Sequence, residues 1–129
     1  MRLLLDTHVF LWANAQPGRL GTARPLLEDE RNELLVSAAS SWEIAIKFGL
    51  GRLPLPEPPA RWVPSRLRAL GATALPVEHA HALAVGELPA LHRDPFDRLL
   101  VAQATMLGIP IVTGDETIAR YEVEVIHVG

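Results

Sequence analysis

The 129-residue sequence contains no cysteine, which removes disulfides, thiolate metal centres and thiol nucleophiles and suits a reducing cytoplasm. It is also poor in aromatic residues, at 5%, too few for a long base-stacking platform. A basic surplus is missing as well. Twelve Lys and Arg stand against fifteen Asp and Glu, for a formal charge of −3 and a pI near 5.9. Bulk attraction of the kind used by basic arms and helix-turn-helix modules therefore cannot hold a polyanion, and any such partner needs a local cluster of cations. Long apolar runs are absent. The stretch from Leu99 to Val112 is interrupted by Gln103, Thr105, Gly108 and Pro110 and falls short of the ~20 residues of a spanning helix. The opening MRLLLDTHVFLWANA has the basic start and Ala-x-Ala ending of a secretory signal, but Asp6 and His8 break its apolar segment. A soluble, cytoplasmic protein with no membrane partner is expected.

Hydrophobic residues make up 49% of the chain and charged residues 21%, an ordinary globular balance. A 14.1 kDa chain buries about two-thirds of its unfolded surface, enough for one domain spanning residues 1–129. Leu3–Leu5 is a short continuous apolar run suited to a doubly covered parallel strand, followed by a helix from His8 to Ala15 that ends before Pro17 and Gly18. Thr22 can cap a helix to about Arg31, and Leu34–Val36 is a second strand. Ser37, Ser40 and Ser41 open a helix carrying Trp42, Ile44 and Phe48, with Gly49 or Gly51 as its stop. Pro54, Pro56, Pro58 and Pro59 make residues 53–59 a connection, and Pro64 starts or kinks the helix that carries Leu67 and Leu70. Ala72–Val77 is a weak strand and Glu78–Val85 a short helix. Asp94 then caps, and Pro95 begins, a helix with Phe96, Leu99, Leu100, Ala104 and Leu107 on its apolar face, ending at Gly108. Ile109–Thr113 and Val123–Val128 read as further strands, separated by a helical turn from Glu116 to Tyr121. This alternation predicts a three-layer α/β/α sandwich around a mostly parallel sheet.

In such a sheet, ligands sit beyond the carboxyl ends of the strands, near the point where strand order reverses. Asp6 ends the first strand and Asp115 follows the one ending at Thr113, so both fall on that rim. Glu43 lies about one and a half turns into its helix if Ser37 is the cap, and Asp97 is in the first turn of its own. Each also has an ordinary reading: Asp6 in a turn, Glu43 in a capping box with Ser40, Asp97 as a first-turn acid, Asp115 as the cap of the turn at Glu116. Jointly they favour a site. Carboxylates 4 Å apart repel by roughly 4 kcal/mol at an effective dielectric of 20, so a converging set calls for a hard cation such as Mg²⁺ or Mn²⁺.

The segments LLLDTHVFLW (3–12), SAASSWEIAIKFGLGRL (37–53), HRDPFDRLLVAQA (92–104) and TGD (113–115) resemble the PIN domain, and within it the VapC-type toxins of toxin-antitoxin pairs. The resemblance spans nearly the whole chain. It implies an acidic pocket of Asp6, Glu43, Asp97 and Asp115 that binds Mg²⁺ or Mn²⁺ and hydrolyses RNA phosphodiester bonds, with Thr7 and Thr113 as supporting partners. It also implies a cognate antitoxin whose tail covers the pocket, and a homodimer. Asp6 and Asp97 are then expected as cation ligands, and Glu43 or Asp115 as the group that orients or deprotonates water.

Lys47, Arg52, Arg61, Arg66 and Arg68, opposed locally only by Glu57, can line a phosphate-tracking groove, or form a solvated helix face. Arg93 and Arg98 are expected to contact phosphate or pair with a partner. Trp12, Trp42 and Trp62 fit the core better than base stacking, while Trp12, Trp42 and Leu50 are also candidates for an antitoxin groove. His8, His79, His81, His92 and His127 are too scattered for a zinc site and are read as non-ligands. Two alternatives compete with the nuclease. A receiver-like signalling module needs an acidic pair after the first strand and a late lysine, whereas Asp6 stands alone and Lys47 is the only lysine. A non-catalytic PIN-like binding module requires that the four acids fail to converge.

Overall fold

The computed structural model describes residues 1–129. Five short strands, β1 (Arg2–Leu5), β2 (Glu33–Ser37), β3 (Thr73–Leu75), β4 (Ile111–Thr113) and β5 (Val125–His127), form one sheet in the order β3-β2-β1-β4-β5, with every neighbour parallel. Parallel pairing needs crossovers, and the helices that supply them cover both faces. The strand side chains divide accordingly. Leu3, Leu5, Leu34, Val36 and Val112 join one core with Val9 and Phe10 of α1 (Thr7–Ala15), Leu27 of α2 (Arg24–Glu28), and Trp62 and Val63 of α4 (Pro59–Leu70). Leu4, Leu35 and Ile111 join the other with Leu100, Val101 and Ala104 of α6 (Pro95–Leu107). The expected three-layer sandwich is therefore present, with no helix long and apolar enough to cross a membrane.

Local chemistry explains most boundaries. Asp6 caps α1 by accepting the Val9 N–H at 2.8 Å, and Ser37 caps α3 (Ala38–Gly49) by accepting from Ala39 at 3.0 Å. Asp94 caps α6 by accepting from Phe96 and Asp97, Pro95 fills the position whose N–H has no partner, and Gly108 closes the helix at a φ of 65°.

Several boundaries differ from the sequence expectation, among them β4, which starts at Ile111 rather than Ile109. Thr22 caps nothing: Pro17–Ala23 forms 3₁₀ turns with a kink at Gly21, and α2 is confined to five residues. The fourth helix starts at Pro59 and runs through Pro64, because Pro59 costs nothing at the first turn and the exposed Pro64 forfeits a single internal bond. The edge strands β3 and β5 are each three residues long, shorter than the sequence pattern, which blunts both edges of the sheet. The short α5 (His79–Ala84) starts one residue later than expected, with Glu78 and His81 forming a capping box.

Candidate active site

Strand order reverses between β1 and β4, and the chain delivers acids to that crevice from three directions. Asp6 leaves β1 with its backbone N–H bonded to the Val112 carbonyl, so its position is fixed by the sheet. Its side chain is 3% exposed; Oδ1 accepts from Val9 and Oδ2 accepts from the Thr113 hydroxyl at the end of β4. The same hydroxyl accepts the Asp115 N–H at 2.9 Å, so Thr113 ties the first acid to the loop that carries the last. The Asp115 Oδ1 accepts from Thr117 at 2.8 Å. Its capping role and its place on the rim are compatible. The ordinary reading of Asp6 also holds, since one carboxylate both starts α1 and faces the crevice.

Asp97 enters from the first turn of α6 and Glu43 from α3. Burial, followed by the charges of Asp94 and Asp6 and that of Glu43, pushes the Asp97 carboxyl up to about 7, with His92 opposing. Burial also raises Asp6, where the Asp115 charge adds to it and the bonds from Thr113 and Val9 oppose it. At Asp115 burial acts upward too, but the contacts with His92 and Thr117 outweigh it and hold the carboxyl below its ordinary range. Asp97 thus feels the charges of Asp6 and Glu43, and Asp6 feels that of Asp115.

Glu43 is 1% exposed, and its two oxygens have different fates. Oε2 receives Lys47 Nζ at 2.5 Å, whereas Oε1 is buried without any hydrogen-bond partner. An orphaned buried carboxylate oxygen, on an acid that also repels Asp97, is costly unless a cation completes it. The all-oxygen donor set of these acids suits a hard divalent ion. Glu43 forms no capping box with Ser40, whose hydroxyl instead accepts from Thr7 at 2.9 Å. Thr7 therefore braces α1 against α3 and does not touch an acid, while Thr113 does.

Sequence reasoning gave His92, read there as a non-ligand, no place in the site, yet it touches two of the acids. Its Nε2 lies 2.8 Å from Asp115 Oδ2 and 3.1 Å from Asp97 Oδ2, and the nitrogen and both carboxylates fall within 4.8 Å of one another. The available signal was its place at the head of HRDPFD, two residues before the cap of α6.

The basic residues do not form one groove. Lys47 is committed to Glu43, Arg66 lines a cleft with Trp62, Leu53 and Asn14, and Arg68 lines another with Glu28, Asp29 and Glu30 near the start of β2. Lys47 and Arg52 share a depression of about 260 Å³ with Thr7, His8, Leu11, Ile44 and Leu53, the chain neighbours of Asp6 and Glu43 among them. Arg98 donates to the Val85 and Pro89 carbonyls and to the Tyr121 hydroxyl, stapling the preceding loop to α6. Of the tryptophans only Trp62 is core. Trp12 is half-buried under Arg19, and Trp42 is 61% exposed, edge-on to Phe96.

A PIN domain family model matches residues 3–124. The chain belongs to the PIN domain family. This PIN domain is 34% identical over 122 residues to Ribonuclease VapC22 of Mycobacterium tuberculosis, covering 92% of the chain and 91% of that relative. It is 55% identical over 58 residues to Ribonuclease VapC16 of the same organism, a match covering 45% of the chain and 41% of the relative's length. In fold, the PIN domain is similar to VapBC2 from Rickettsia felis bound to a promoter DNA fragment (TM-score 0.72, 17% identity, both chains fully covered). DNA-bound VapBC from Salmonella typhimurium is comparable (TM-score 0.70, 15% identity, 98% of each chain).

Proposed function

We propose that this PIN domain is a divalent-cation-dependent endoribonuclease and the toxin of a toxin-antitoxin pair, acting on cytoplasmic RNA. The reading is supported by the electrostatic coupling of Asp97 to Asp6 and Glu43 and of Asp6 to Asp115, together with a buried Glu43 oxygen left unpartnered. The relatives named as ribonucleases support the choice of chemistry.

Asp6 and Asp97 would hold Mg²⁺ or Mn²⁺, with Glu43 Oε1 and Asp115 completing the donor set. Such an ion supplies an acidified water and neutralises charge at phosphorus. Asp6 is immobilised for this by Val9 and Thr113, and Asp97 by the first turn of α6. Glu43 or Asp115, whichever faces the attacking water, orients it and takes its proton. Arg52 and His8, both exposed and lining the depression beside Thr7, are placed to meet the phosphates that flank the scissile bond. The exposed Trp42, Ile46 and Leu50 recur every four residues along α3 and offer an apolar stripe to an antitoxin. A homodimer completes the reading.

The purified protein should cleave RNA in Mn²⁺ or Mg²⁺ and stop when EDTA is added. Asp6→Asn and Asp97→Asn should each lower kcat at least 100-fold with the fold retained by circular dichroism. Undiminished cleavage by either variant would defeat the assignment.

A further inference from the structure

The nuclease reading uses four acids and leaves unexplained a histidine that touches two of them. Two hydrogen bonds and one close contact define its role. His92 Nδ1 faces the backbone N–H of Asp94 at 3.2 Å. A ring nitrogen that accepts a hydrogen bond keeps its lone pair, so the proton of the neutral ring sits on Nε2. The Nε2–H then donates to Asp115 Oδ2 at 2.8 Å, with Asp97 Oδ2 lying 3.1 Å from the same nitrogen. In this arrangement Nε2 serves as a hydrogen-bond donor to the acid side of the site.

The ring is held from behind. Its backbone N–H donates to the Tyr121 hydroxyl at 2.9 Å, and that hydroxyl also accepts from Arg98 at 3.2 Å. Tyr121 is 5% exposed, and Arg98 is anchored on the Val85 and Pro89 carbonyls, so the loop before α6 cannot carry the imidazole away without breaking several bonds. Asp115 has far less support. Its side chain is 34% exposed, it follows Gly114 in a loop, and, while Thr113 holds its backbone N–H, apart from His92 only the Thr117 N–H holds its carboxylate.

We infer that His92 is a positioning residue of the proposed nuclease site, fixed as the Nε2–H tautomer by Asp94 and acting through Asp115, which it tethers beside Asp97. The inference rests on the nuclease reading for its catalytic consequence, but the tautomer and the tether are properties of the protein alone. Partners of this kind, which orient a ligand without being one, are typically worth 10–100-fold in metal affinity or activity.

The test uses full-length protein stripped of metal by chelation. In the wild type, ¹⁵N spectra of the imidazole should show a protonated Nε2 and a bare Nδ1, and the Asp115 carboxyl ¹³C resonance should move in His92→Ala. Titration with Mn²⁺ and assay on RNA should show His92→Ala lowering Mn²⁺ affinity or kcat about 10–100-fold with KM little changed, and His92→Gln, which keeps an N–H donor, recovering most of the loss. Because His92 works through Asp115, the double variant His92→Ala/Asp115→Asn should be no worse than Asp115→Asn alone. An Nδ1–H tautomer, an unmoved Asp115 resonance, additive losses in the double variant, or wild-type Mn²⁺ affinity and kcat in His92→Ala would each overturn the proposal. If the wild type neither takes up Mn²⁺ nor cuts RNA, the nuclease reading falls, and the two spectra still decide the tautomer and the tether.

Discussion

Asp97 sits where the site's negative charge is most concentrated, 14% exposed and repelled by Asp94, Asp6 and Glu43, with a pKa of about 7 against an ordinary 3.8. The sign of the consequence follows from proton binding. The native state grips this proton more tightly than the unfolded chain does, so Asp97 destabilises the metal-free fold as pH rises from about 4 through 7, by at most on the order of 4 kcal/mol. Asp6, also raised, adds in the same direction, whereas Asp115, held low, contributes stability that is lost only as the solution turns acidic through its depressed pKa. Urea denaturation in EDTA should therefore give a lower midpoint at pH 8 than at pH 5.5, and Asp97→Asn should remove most of the difference. An unchanged pH slope in that variant would show that the repulsion lies elsewhere. One carboxylate thus resists ionisation while a neighbour at hydrogen-bond distance from the same histidine stays charged.

At the scale of the element, α6 does two jobs with one turn. The Asp94 side chain that caps it also fixes the backbone of Asp97, and the Asp94 N–H fixes the tautomer of His92. Asp94→Ala should cost about 1 kcal/mol and lower Tm by roughly 3–6 °C at pH 5.5, where Asp97 keeps its proton, while Asp94→Asn should melt close to the wild type. Equal losses in both variants would mean that the charge, rather than the cap, stabilises the helix. This element was legible in the sequence because cap, proline, apolar face and terminal glycine all agree from Asp94 to Gly108. The segment at 17–31 was not, because Thr22 resembles a cap but the backbone of Gly21, at φ 55° and ψ −128°, breaks the helix there. Among site residues, Asp6, Asp97 and Asp115 could be placed from their positions at strand and helix ends. His92 could not, since its partners lie 5 and 23 residues away and meet it only through the packing of β4 against α6. Trp42, expected in the core, is instead 61% exposed and edge-on to Phe96, which composition does not reveal.

At the scale of the whole molecule, a net charge of −3 must coexist with the proposed binding of a polyanion, and Arg66, Arg68 and the pair of Lys47 and Arg52 line three separate depressions. Arg52 lines its depression beside Thr7 and His8, the chain neighbours of Asp6. Arg52→Glu should raise KM for RNA with kcat nearly unchanged, and should reduce the slope of log affinity against log salt by about 1, whereas Arg68→Glu, beside Glu28, Asp29 and Glu30, should leave both as they are. Identical behaviour of the two variants would place the RNA path away from this depression.

Lys47 is the single lysine of the chain, its side chain is 41% exposed, and its ammonium rests on Glu43. Apart from the amino terminus, an acylating reagent has one target, and that target reports on a buried acid. Occupation of Glu43 by Mn²⁺ should loosen the pair and speed modification of Lys47, read by mass spectrometry of the peptide, with Glu43→Gln labelling fast whether or not metal is added. A rate indifferent to Mn²⁺ in the unaltered protein would mean that Glu43 never lets go of its lysine. The molecule is thus equipped with a built-in reporter group, needing no introduced label, at the edge of the site it would monitor.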